Sequence, residues 1–298
     1  MFDLIFGKYL VGRGILTSEQ LEAVINDEVH ARVKLGVIAV AEHIMTKEEA
    51  DEVNALQALS DRRFGDIAIE KGYLTPAQVD NLLKRQGNGF LHFIQAIIDN
   101  GYMSLDELDM FLLDYQETYG FAPSDMDALV SGDLYRVLDV FLPIRDELYK
   151  KLTGIAIRTF IRLIDSGCYI EKAYITDSLR LDRFASQTTV GAHNIVAGFG
   201  GEGLDLLVLA NVFAQEEFET VDMDALDAVA EFTNCIDGLF ACELSYNNVE
   251  VDMLPPDFYE NPIMLEGDGF CVVPIVSAGR RIYFIMAIDS EFNVKSAN

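Results

Sequence analysis

The sequence predicts an α+β protein in two parts: an all-α repeat domain over residues 1–116 and, after a linker at 117–131, a domain over 132–298 whose helices pack on a largely antiparallel sheet. Three observations carry that prediction. A pattern recurs every 29 residues through the first 116, and self-similarity at a fixed period marks stacked supersecondary units. Beyond Gly167 the apolar period shifts from helical spacing to short runs and alternation, which is the signature of strands. Among those runs lies one long amphipathic stretch in which Leu226, Val229, Phe232, Thr233, Ile236 and Phe240 form a single stripe at helical spacing.

A chain of 298 residues exceeds the usual size of one hydrophobic core, and half of it is hydrophobic, enough for two. Acidic residues outnumber basic ones 49 to 22, a formal charge of −27. Such a surface repels nucleic acid and anionic membranes and favours a basic or neutral partner. Cys168, Cys235, Cys242 and Cys271 form no CxxC pair and have no histidine at metal-ligand spacing. They read as small buried hydrophobes in a reducing cytosol, with no metal site. The opening MFDLIFGKYLVGRG carries Asp3 and Lys8 and lacks a small-residue cleavage site, so it does not read as a signal peptide. No run approaches the ~18 apolar residues of a membrane span. The expectation is a cytoplasmic protein without membrane insertion.

In the repeat, Gly14, His43, Gly72 and Gly101 share one column. Three positions on come Thr17, Thr46, Thr75 and Ser104, each followed three residues later by Gln20, Glu49, Gln78 or Glu107. These are four capping boxes, which satisfy free amides at a helix start. Pro76 takes the first helical position, where a missing N–H costs nothing. Each unit is therefore a short helix, a left-handed stop, two apolar residues and a second, capped helix. His43 must carry left-handed strain that glycine would not.

The two middle units, Lys34–Gln57 and Arg63–Gln86, resemble the tandem motifs of the MshEN family, the N-terminal domains of type II secretion and pilus ATPases. Some of its members bind cyclic di-GMP. On that resemblance Lys34, Leu35, Gly36, Arg63, Phe64, Gly65, Gly72 and Gln86 are the candidate nucleotide-binding residues. The first motif departs from the pattern with Lys34 for arginine and His43 for glycine, and lysine does not replace arginine at a stacking site. A helical docking or scaffold module that keeps only the packing residues is the competing reading.

Residues 117–131 break the repeat with Gly120 and Pro123 and read as the linker. Leu134–Asp165 has long helical periodicity punctuated by Pro143 and Gly154, consistent with one kinked helix or with two. Tyr169–Thr176, Ser186–Val190, Ile195–Phe199 and Leu204–Leu209 read as strands, Phe213–Phe218 as a short helix, and Gly269–Pro274 and Arg281–Ile288 as strands joined at Ala278–Gly279. The run GFGGEG at Gly198–Gly203 satisfies GxGxxG formally. Because a dinucleotide loop must lead into a helix and LDLLVLA reads as a strand, a β-hairpin connection is expected there instead.

Beside the buried stripe of the long helix, Asp227, Glu231 and Asn234 stand at i, i+4 and i+7 on a neighbouring face. Two carboxylates one turn apart repel, so helix energetics do not explain them. With Gly238, the strand-like NVEVDM and Pro255-Pro256 after it, they resemble the Asp/Ser-x-x-x-Glu-x-x-Asn signature of the CheC/CheX/FliY chemotaxis phosphatases. A single Glu-x-x-Asn favours the CheX branch. The resemblance implies a CheX-like domain that hydrolyses the aspartyl phosphate of a CheY-like receiver. Asn234 would position the attacking water, Glu231 would dock a receiver lysine, and Asp227 would support the helix face. No cofactor is expected on this chain, and Mg²⁺ would sit on the receiver; cyclic di-GMP enters only through the repeats. A homodimer is implied by resemblance alone. The alternative is a non-catalytic receiver-binding or scaffold protein, with the repeats sensing cyclic di-GMP or a partner.

Overall fold

The computed structural model describes residues 1–27, 33–59 and 62–297. It divides into two units, Met1–Gly132 and Asp133–Asn298.

The first unit is helical throughout its described residues. It runs α1 (Phe2–Gly12), α2 (Ser18–Asp27), α3 (Leu35–Ala41), α4 (Lys47–Leu59), α5 (Phe64–Glu70), α6 (Pro76–Arg85), α7 (Gly89–Asp99), α8 (Leu105–Tyr119) and α9 (Pro123–Val130). The four repeats share one junction. Gly14, His43, Gly72 and Gly101 have φ of 72°, 54°, 77° and 68°, the left-handed stop the column requires. The next amide closes a Schellman turn: Ile15 N donates to Leu10 O, Ile44 N to Ala39 O and Tyr73 N to Ala68 O at 2.9 Å, and Tyr102 N to Ile97 O at 3.1 Å. Capping boxes follow in every repeat, Thr17 with Gln20, Thr46 with Glu49, Thr75 with Gln78 and Ser104 with Glu107. Between stop and cap, the second apolar residue is the buried one: Leu16, Met45, Leu74 and Met103.

The repeats do not stack in simple sequence order. The first packs on the fourth through α1, α2, α7 and α8, and the second on the third through α3, α4, α5 and α6. Side-chain bulk explains the pairing. Phe2 and Phe6 of α1 meet Phe90 and Phe93 of α7, with ring centroids 5.0 Å apart for Phe2–Phe90 and 6.5 Å for Phe6–Phe93. In the middle pair the contact is glycine against aromatic, since a Cβ on Gly36 would lie 2.9 Å from the Phe64 ring. Residues 117–131 differ from the linker expectation. They complete α8 and form α9, burying Met126, Ala128 and Leu129 inside the first unit, while Asn88 Nδ2 donates to Val130 O at 2.8 Å. An isolated Gly and Pro here act as a helix stop and a helix start, not as a hinge.

The second unit opens with two helices, α10 (Leu134–Phe141) and α11 (Glu147–Leu163). Pro143 ends the first; Asp146 caps the second by accepting from Leu148 N at 2.7 Å. Then come β1 (Tyr169–Ile170), β2 (Tyr174–Leu181), β3 (Arg183–Gly191), β4 (Ile195–Gly201), α12 (Leu207–Ala214), α13 (Met223–Ser245), β5 (Val251–Met253), β6 (Asp257–Tyr259), β7 (Ile263–Ser277), β8 (Arg280–Ile288) and β9 (Phe292–Ser296). The strands form one antiparallel sheet with the path β1-β7-β8-β4-β3-β5, while β2 and β9 also pair with β7 and β6 with β3. One sheet face meets the helices through Phe160 of α11, Phe232 of α13, Phe199 and Phe284, with the Phe199–Phe232 and Phe199–Phe284 centroids 5.4 and 5.0 Å apart. The other face holds a separate cluster around Phe184, Leu265, Phe270 and Ile285. The fold is α+β, as the change of period predicts.

Two sequence expectations are corrected here. Leu204–Leu209 is not a strand but a turn leading into α12, and the short helix expected at Phe213–Phe218 is instead Leu207–Ala214, so that only Phe213 and Ala214 of the expected span are helical. The glycine run therefore joins a strand to a helix, not the two strands of a hairpin. Its glycines serve packing all the same. A Cβ on Gly198 would lie 2.4 Å from Ala185 O, and one on Gly200 would lie 2.6 Å from Leu181. The loop amide of Gly203 donates to an Asp182 carboxylate oxygen at 2.9 Å, and a carboxylate seated on that amide opposes a phosphate there. Of the cysteines, Cys168 and Cys271 are buried, whereas Cys235 and Cys242 are exposed on α13.

Candidate functional site

The 23-residue α13 is the longest helix of the second unit and packs against α11, α12 and strands β3 to β6. Asp222 caps it by accepting from Ala225 N at 3.1 Å. Leu226, Val229, Phe232, Thr233, Ile236 and Phe240 are all buried, so the predicted stripe is the core face. That anchoring sets the helix rotation and turns the neighbouring face outward. Asp227 and Glu231 are exposed and Asn234 half-buried, spread over ~10 Å of helix. None of the three side chains makes a hydrogen bond or ion pair among the described residues. One turn past Asn234, Gly238 faces open space, with nothing within 4 Å of where a Cβ would stand. Glycine inside a helix costs about 1 kcal/mol relative to alanine, and no contact within the fold calls for it.

Behind this face lies a group that sequence reasoning passed over. Asp237, three residues beyond Asn234, is 3% exposed, and neither carboxylate oxygen has a hydrogen-bond partner among the described residues. Burial pushes its carboxyl well above the ordinary carboxylate range, because removal from water disfavours the charged form. The available signal was its place four residues after Thr233, at the border of the apolar stripe. Gln187, on the β3 strand that α13 packs against, is also buried. Its Nε2 donates to Leu254 O and its Oε1 has no partner among the described residues. Leu254 leads into Pro255 and Pro256, which separate β5 from β6 along β3.

The residues proposed for a nucleotide in the first unit are spread among structural tasks. Phe64 and Gly65 are buried, and a Cβ on Gly65 would stand 2.9 Å from Val79. Gly72 is the left-handed stop of α5, and Gln86 Nε2 donates to Val33 O at 2.7 Å. Arg63 is exposed at the N-terminus of α5. Lys34 pairs with Asp99 at 3.0 Å. Lys34 and Gly36 line a cleft of about 670 Å³ with Asp51, Asn54 and Gln95, whereas Leu35, Arg63, Phe64, Gly65, Gly72 and Gln86 lie outside its walls. Among the described residues no cluster of three metal-ligating side chains occurs, and no helix is long and apolar enough to cross a membrane.

No family model matches the sequence, and no curated protein matches it. Solved structures do resemble about half of the chain. A CheC-like superfamily protein from Shewanella sp. PV-4 aligns with a TM-score of 0.42 and 16% identity, covering 49% of this chain and 99% of its own. The chemotaxis protein CheX from Vibrio vulnificus aligns at 0.40 and 15%, covering 48% and 99%. A chain of the CheX–CheY–BeF3–Mg²⁺ complex from Borrelia burgdorferi aligns at 0.36 and 18%, again over 48% and 99%.

Proposed function

We propose that the second unit hydrolyses the aspartyl phosphate of a phosphorylated CheY-like receiver domain, with Asn234 and Glu231 as the working groups. The observation that carries this reading is the uncommitted polar face of α13. A carboxylate and a carboxamide lie one turn apart, without side-chain partners among the described residues, beside a helical glycine that leaves room for an approaching surface.

The chemistry suits those groups. A receiver holds its own Mg²⁺ and acyl phosphate, so a phosphatase has only to place water in line with the leaving carboxylate. The Asn234 carboxamide can accept from that water through Oδ1 and donate through Nδ2 to the water or to a phosphoryl oxygen. An anionic side chain there would repel the phosphoryl group. Fixing the nucleophile can supply up to ~7–11 kcal/mol when positioning is complete. Glu231, one turn toward the N-terminus, docks the receiver's active-site lysine by a charge-assisted hydrogen bond. Asp227 adds negative charge at the far end of the same face and takes no part in the bond-breaking step.

The test is the rate at which a phosphorylated receiver loses acyl phosphate, with and without the protein. Wild type is expected to accelerate the loss, and Asn234→Ala to remove about a hundredfold of that acceleration while receiver binding and the circular dichroism melt stay unchanged. A wild-type protein that binds the receiver without hastening phosphate loss would overturn the catalytic reading and establish the scaffold one.

A further inference from the structure

A second site is built between α11 and α13. Along α11, Lys151, Ile155, Arg158 and Arg162 stand at i, i+4, i+7 and i+11, on one face of the helix. With Lys150 and Thr159 of the same helix, Tyr135 of α10 and Leu239 and Glu243 of α13, they line a groove of about 650 Å³. Its walls carry four cations, of which Lys150 is paired with Asp139 at 2.5 Å, against Glu147 and Glu243, in a chain whose acids outnumber its bases 49 to 22. Its volume is in the ~300–1,000 Å³ range of small-molecule sites.

The cations are held, not merely gathered. Gly154 lies inside α11, where a Cβ would meet the Tyr135 ring at 2.9 Å; the glycine seats that ring against the helix backbone. Arg158 lies over the same ring, 5.0 Å from its centroid, and donates from Nη1 to the Tyr135 hydroxyl at 2.7 Å. The guanidinium is thereby fixed without being neutralised. Arg158 has no carboxylate partner among the described residues, and Arg162 has no polar partner there of any kind. Thr159 lines the groove 2% exposed, with no side-chain hydrogen bond among the described residues. Lys151 reaches Glu243 only at 3.9 Å. Ile155 and Leu239 supply the apolar lining.

We propose that this groove binds a small organic polyphosphate. Two or more phosphoryl groups would lie along Lys151, Arg158 and Arg162, and an apolar part would rest on Ile155 and Leu239. Guanidinium forks match phosphate oxygens in geometry as well as charge. The cations span ~16 Å of helix from Lys151 to Arg162, which suits a chain of phosphates better than a single anion. The inference does not rest on the phosphatase reading.

Calorimetric titration of the full chain with pyrophosphate, tripolyphosphate and ATP, without Mg²⁺ and at about 50 mM NaCl, tests it. Saturable binding of at least one probe is expected, weakened at least about tenfold in Arg158→Gln/Arg162→Gln. It should stay within about twofold in Lys8→Gln/Lys84→Gln, which removes the same charge from the repeat unit. ATP binding tighter than tripolyphosphate is expected from the apolar lining; equal affinities would overturn the organic part of the proposal. Circular dichroism melts establish that both double variants are folded. Absence of saturable binding by all three probes, or equal losses in the two double variants, would overturn the proposal.

Discussion

The helical repeats and α13 are both marked by unusual residues at fixed spacing, and they use those marks in opposite ways. In the repeats the fold consumes each one. Gly14, Gly72 and Gly101 supply left-handed stops, Gly36 and Gly65 admit Phe64 and Val79, and every Ser/Thr–Glu/Gln pair closes a capping box. In α13 the fold uses none of them. A Cβ on Gly238 would meet nothing within 4 Å, and Asp227, Glu231 and Asn234 reach no partner among the described residues. A residue that conflicts with local energetics and is not repaid by packing is the kind retained for something outside the chain.

That contrast can be broken most sharply at its glycines. Gly238→Leu is expected to raise thermal stability slightly, by ~0.5–1 kcal/mol, because leucine is the better helix former. It should also cut receiver dephosphorylation about a hundredfold, ~2.7 kcal/mol of barrier, by filling the space a partner needs. A stabilised variant with full activity would remove Gly238 from the site. Gly65→Val should do the reverse and destabilise the repeat unit by ~1–3 kcal/mol through overlap with Val79, read by urea denaturation, with receiver dephosphorylation unchanged.

Asp237 sharpens the comparison from within α13. Its folded pKa is raised by burial, so its contribution to stability is fully present below the unfolded carboxyl value of about 4 and is lost as pH rises toward the folded one. Through that window wild type should lose roughly 1 kcal/mol per pH unit relative to Asp237→Asn. The two proteins should converge near pH 4 in denaturant titrations. Parallel stability curves would mean that the carboxyl is ionised and partnered after all. The smallest effect is expected at His43→Gly, which relieves the one non-glycine stop in the repeat column. It should stabilise the first unit by ~0.5–1 kcal/mol, measured as a shift in its melting transition.

The legible parts of the fold were those written locally. Capping boxes and left-handed stops are decided within six residues, and four copies at one period made them plain. The buried stripe of α13 was equally plain, and with it the outward placement of Glu231 and Asn234. What escaped depended on partners distant in sequence. Leu207–Ala214 is apolar except for Asn211, so no period separated a helix from a strand. Pro123 looked like a linker residue until Asn88 and the buried Leu129 fixed α9 in place. Asp237 was overlooked because the stripe was drawn through apolar residues and Thr233 without any charged one, while the buried arc of the helix is wider. The cationic groove depends on Tyr135 meeting Gly154, and no spacing within α11 shows that meeting.

The two prolines between β5 and β6 have a consequence for the molecule in a crowded solution. The sheet path ends at β5, and an exposed edge of unpaired backbone groups is a template on which another chain can lay a strand. Pro255 and Pro256 have no N–H to offer such a chain, and Leu254 turns its own amide inward to Thr188 O at 2.8 Å. The margin of the sheet is thereby cut into two pieces of three residues each, too short to recruit a stranger, so that the protein resists self-propagating association at this edge.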